Sequence, residues 1–180
     1  SLMRLDSYCG EMRAATAEFL ATLEGASRSE WGWKPAPDRW SVYEIAEHTC
    51  TVQRGVERLF SAKLLGQPLT PDTAQPQHSD EDIARFLAAG GRPVRAPEMV
   101  NPKGRWSSRE EIAQVFTAST EAQIAWVEAH ADTDLRRYGS PHPMLGMLDG
   151  VQWMILLAAH ARRHAQQVRE VRAKYAATGG

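Results

Sequence analysis

Four stretches of this chain place apolar residues three, four or seven positions apart, and none alternates convincingly at period two. That spacing lines one face of a helix, so it restricts the chain to helices sharing a core. The first stretch runs from about Asp6 to Leu23, with Leu5, Tyr8, Met12, Phe19 and Leu23 on its stripe and Gly25 as its stop. The second opens at Ser41, where Ser41-Val42-Tyr43-Glu44 spells a capping box. It continues through Ile45, His48, Val52, Val56 and Leu59 and should stop near Gly66-Gln67-Pro68. The third shows Ile112, Phe116, Ser119, Gln123 and Trp126 on its inner face. Its opening, Trp106-Ser107-Ser108-Arg109-Glu110, echoes Trp40-Ser41-Val42-Tyr43-Glu44 and reads as the same capping solution. The fourth runs from about Leu148 or Asp149 to Ala176, on a stripe of Trp153, Leu157, His160, His164, Val168, Val171 and Tyr175.

The connections differ in length. Residues 31–40 hold Pro35 and Pro37 and read as an extended loop. Residues 66–106 form an irregular crossover, punctuated by prolines, with one short helix from about Ser79 to Ala89. Asp80, Glu81 and Asp82 suit the positive start of that helix, and Gly90-Gly91 stops it. Residues 132–143 read as another loop. Short outer connections and a long central one predict an all-α four-helix bundle, with the crossover between helices 2 and 3. The 180 residues are read as one domain, with Ser1-Leu2 as an expression remnant ahead of a native Met3.

Composition removes several classes of function. The formal net charge of -1 leaves no electrostatic footprint for DNA or RNA. No apolar run reaches membrane-spanning length, and the first residues lack the apolar stretch of a signal peptide. Cys9 and Cys50 form no CxxC pair and are read as reduced thiols of a cytoplasmic protein.

The chemistry lies with histidines. His160 and His164 are four residues apart, which sets both imidazoles on one helix face, one turn apart. Their stripe, and that of His48, face inward. Three imidazoles converging in a bundle suit Zn²⁺, Ni²⁺ or a similar divalent ion and leave a coordination position open. An HxxxH pair by itself also arises from packed core histidines. The metalloprotease form is excluded, because position 161 is Ala161 where a glutamate base is required.

The surroundings add specificity. Trp40-Ser41, then Glu44, then His48 four residues on, together with the closing His160-x-x-x-His164-x-x-Gln167, resemble the DinB-like superfamily of metal-binding four-helix bundles. The resemblance implies that His48, His160 and His164 are the metal triad. It also implies either of two activities. One is that of a transferase or isomerase using a low-molecular-weight thiol such as bacillithiol or mycothiol. The other is that of a metal-dependent hydrolase. A non-enzymatic metal- or ligand-binding bundle, serving as a stress-response or interaction module, is the alternative. The expected partner is a small-molecule substrate or thiol, and pairing of two copies through exposed helical faces is compatible with the pattern.

Other residues weigh less. Glu44 is a weak candidate for a base or for orienting a ligand, although its capping role accounts for it equally well. Gln167, one turn after His164, is placed to hydrogen-bond near the site. Glu47 is expected on the surface, and Cys50 on the opposite face of its helix from His48, in packing. His78, His130 and His142 fall in loops or at a helix end. Arg162, Arg163, Arg169 and Arg172 read as a solvated face, and the tryptophans as core and loop anchors.

Overall fold

The computed structural model describes residues 2–88 and 101–180. Its helices are α1 (Leu2–Ala21), α2 (Arg28–Gly32), α3 (Val42–Ala62), α4 (Asp80–Ala88), α5 (Arg109–Ala129) and α6 (Gly150–Ala177). A two-stranded antiparallel hairpin, β1 (Gly139–His142) and β2 (Gly146–Asp149), leads into α6. The four long helices, α1, α3, α5 and α6, form the expected bundle.

Cross-helix contacts give the directions. Arg162 of α6 pairs with Glu11 and Glu18 of α1, Arg169 with Glu18, and Arg172 reaches the Thr22 carbonyl, so α1 and α6 run parallel. Arg13 pairs with Glu121 while Arg109 donates to the Leu23 carbonyl, so α1 and α5 run antiparallel. Val42, Ile45 and Ala46 share one half of the core with Ala161, Ala165 and Val168. Phe60 and Leu64 share the other half with Leu148, Val151 and Met154. Helices α3 and α6 are therefore antiparallel, and α3 runs parallel to α5. Two consecutive parallel helices require the chain to return along the whole bundle. A 21-residue helix is about 30 Å long, which is the reason for the long crossover. On its way the crossover forms α4, where Ser79 was expected to open a helix. The expected last residue of that helix, Ala89, and its Gly90-Gly91 stop lie outside the described residues.

The structure departs from sequence expectation in several places. Residues 31 and 32, expected at the start of the extended loop, instead end a short helix (Arg28–Gly32) that the Ser27 hydroxyl caps by accepting the Glu30 N–H. The segment 132–143, expected as a loop, contains a 3₁₀ turn (Leu135–Arg137) and the first hairpin strand. Four-residue strands are too short to display a period of two. Theirs is stabilised from outside, as the Trp153 indole N–H donates to the Ser140 carbonyl. Gly146, at φ +70°, turns the hairpin. A Cβ on Gly150 would lie 2.9 Å from the Leu135 carbonyl oxygen, so the start of α6 can seat itself only as glycine. The α5 cap sits one residue later than the echo suggests. Ser108 accepts the Glu111 N–H, while Glu111 turns back to Ser107 and Glu110 pairs with Arg109. Arg162, Arg169 and Arg172 are not simply solvated, since they tie α6 to α1 and to Glu30.

Candidate metal centre

α3 begins with a complete capping box: the Ser41 hydroxyl accepts the Glu44 N–H at 3.1 Å, and Glu44 accepts the Ser41 N–H at 3.0 Å. The box fixes where the helix starts and hence which way His48, one further turn along, points. His48 is buried at 5% exposure. It faces α6, where Ala158, Ala161 and Ala165 leave room for larger rings between the helices. His160 and His164 occupy that room as half-buried side chains.

The three rings meet nitrogen to nitrogen. His160 Nε2 lies 3.1 Å from His48 Nε2 and 3.1 Å from His164 Nε2. One ligand nitrogen from each of the three falls within 4.8 Å of the others. A neutral ring nitrogen carries one proton or one lone pair, so His160 Nε2 cannot complete good hydrogen bonds to both neighbours. A cation satisfies all three at once. Ligands at 2.0–2.1 Å in a tetrahedron are about 3.3 Å apart, close to the separations seen here. Gln167 Oε1 accepts from His164 Nδ1 at 2.7 Å. That bond places the His164 proton on Nδ1 and turns the Nε2 lone pair to the cluster. The donor set therefore fits a divalent transition metal.

Electrostatics point the same way. Burial, then the neighbouring His164 and His48, pushes the His160 pKa well below the usual histidine value. Burial, then His48, lowers that of His164 to about 3, against a weaker opposing effect of the Gln167 bond. Both rings are thus neutral at pH 7 and hold free lone pairs. The Trp40 ring lies 4.8 Å from that of His48 and walls one side of the cluster.

The remaining candidates separate clearly. Gln167 is at the cluster. Glu44 is engaged by Ser41 and, at 3.6 Å, by Lys34, in the cap and not with the histidine nitrogens. Cys50 is fully buried in packing, and burial pushes its thiol up to about 12. His130 ends α5, with Nδ1 2.7 Å from the Trp126 carbonyl.

Glu47 overturns the surface expectation. Its side chain is fully buried and receives the backbone N–H groups of Lys103 and Arg105, the Tyr43 hydroxyl at 2.8 Å and the Arg105 guanidinium at 3.1 Å. Burial raises the pKa of this carboxyl, but those bonds outweigh it and hold the group below the usual glutamate range. It clasps the end of the crossover onto α3 beside His48. Apart from Tyr43, its partners come from 56 and 58 residues away, so no local signal could have announced them.

A bundle with parallel α3 and α5, and three imidazoles meeting between α3 and α6, defines a class of helical proteins with a candidate metal centre. The DinB superfamily profile matches residues 11–168, and the chain belongs to that superfamily. It is similar to the uncharacterized protein YuaE of Bacillus subtilis (strain 168), at 21% identity over 152 residues, covering 84% of this chain and 89% of YuaE. It also shares its fold with YfiT from Bacillus subtilis, which is described as a probable metal-dependent hydrolase with an unusual four-helix bundle topology. That likeness has a TM-score of 0.65 and 14% identity, and covers 98% of this chain and 90% of YfiT.

Proposed function

We propose that His48, His160 and His164 hold one divalent transition-metal ion, zinc or nickel, and that the protein is a metal-dependent enzyme acting on a small molecule. The observation that carries this reading is the pair of 3.1 Å contacts on His160 Nε2, a geometry that neutral imidazoles cannot satisfy among themselves. A bound ion would supply Lewis acidity that brings a water or thiol at the remaining position toward deprotonation near neutral pH. The chain's own residues do the rest. Burial keeps the His160 and His164 imidazoles neutral and ready to ligate, Gln167 sets the His164 tautomer, and Trp40 packs against the His48 ring.

Hydrolysis is the first activity to test, since YfiT carries that description. Transfer of a low-molecular-weight thiol to an electrophile is the second. Untagged protein should contain about one divalent metal per chain. The zinc- and nickel-loaded forms should then be assayed on activated esters and amides, and separately on a chloronitroarene with added thiol. Failure to take up stoichiometric metal after reconstitution would remove the proposal. A loaded protein silent in both assays would leave a binding function and remove the enzymatic part.

A further inference from the structure

The hairpin tip carries another imidazole with a fixed polarity. His142 Nδ1 accepts the backbone N–H groups of Met144 at 3.1 Å and Leu145 at 3.2 Å. A ring nitrogen that accepts two N–H groups presents its lone pair, so the ring proton resides on Nε2. Nε2–H is then a donor on the edge away from the turn, and no described residue accepts from it. The ring is half-buried, 5.6 Å from that of Trp153. Trp153 is itself 8% exposed and bonded to Ser140, so the hairpin and α6 hold one another in place.

Trp153 and His160 are seven residues apart on α6, which sets them on the same face, two turns apart. The hairpin thus places an N–H donor of fixed polarity beside Trp153, on the α6 face that presents His160 two turns further on. An unused donor there matches a ligand with an acceptor group at its far end.

We propose that His142 Nε2–H is a substrate-orienting donor that receives the distal carboxylate, or a similar oxyanion, of a small ligand whose near end sits at the three histidines. The idea rests on the metal reading above, and it specifies the substrate class as small molecules with an anionic group distal to the reacting centre.

The test uses Co²⁺-loaded full-length protein, with its visible spectrum titrated by malonate and by acetate. Acetate has one carboxylate and serves as the control lacking a distal group. Wild type should bind malonate about tenfold tighter than the His142→Asn variant does, the size expected for one hydrogen bond to a charged acceptor. The shorter amide side chain keeps an acceptor atom where Nδ1 stands, so the turn bonds persist while the far N–H is lost. Acetate affinity and Co²⁺ stoichiometry should be unchanged by the substitution, which shows that the fold and the metal site are intact. Equal malonate affinity in the two proteins, or no malonate response in wild type, overturns the inference and leaves the metal site standing. Wild type that takes up no Co²⁺ overturns the metal reading, and this inference with it.

Discussion

α3 borders two buried polar clusters that differ in one respect. Toward α5, Gln53 Nε2 donates to Gln123 Oε1 at 2.7 Å and Ser119 donates to Glu57 at 2.6 Å. Beside them the Thr16 and Thr120 hydroxyls bond at 2.9 Å. Toward α6 lie the three imidazoles. In the first cluster each contact pairs a donor with an acceptor, with Gln123 Nε2 the one buried side-chain atom among the described residues left over. In the second, His160 Nε2 faces two imidazole nitrogens at 3.1 Å and can complete a hydrogen bond with only one of them. Buried polarity is common to both, and the lesson is that complementarity separates them. A layer whose donors meet acceptors is finished as structure. Three ring nitrogens that a single shared proton cannot satisfy are completed by a cation.

The comparison can be broken most decisively at His160, whose Nε2 makes both short contacts. His160→Ala should drop metal content from about one per chain to background, measured by elemental analysis after reconstitution. Full retention of metal would mean the cluster is merely packing.

Acid should come next in size. Unfolded histidine takes its proton near pH 6.5, whereas His164 in the fold resists protonation down to about pH 3, and His160 is also held well below the usual value. Below pH 6.5 the unfolded chain therefore binds more protons, and acid favours unfolding. The metal-free protein should lose up to about 1.4 kcal/mol per pH unit for each of the two rings, or up to about 4 kcal/mol between pH 6.5 and 5. Urea titrations in chelator at the two pH values measure this.

Gln53→Ala strips Gln123 Oε1 of its donor and should cost about 2 kcal/mol of stability with metal content unchanged. Loss of metal in this variant would show that the two clusters are coupled. Smallest is Gln167→Ala, which frees the His164 tautomer. Metal affinity should weaken about tenfold, read by competition with a chromophoric chelator, with little change in stability.

Legibility followed the range of the interactions. The apolar stripes, the capping box at Ser41 and Glu44, the short crossover helix and the spacing of His160 and His164 are all encoded within a few residues. Each could be read directly. Glu47 looked like surface, because the groups that bury and satisfy it arrive from Lys103 and Arg105. The hairpin was unreadable in four-residue strands containing Gly139, Ser140 and Pro141, and it exists by virtue of α6 beside it. Its donor at His142 was therefore also out of view.

For the metal centre, the sequence by itself determined the ligand types, the one-turn spacing of two of them and their inward stripes, because helical periodicity is a local property. That His48 meets His160 at 3.1 Å was decided by tertiary structure. Antiparallel packing of α3 on α6 brings together residues 112 positions apart. The small side chains of Ala158, Ala161 and Ala165 leave the space in which the rings converge.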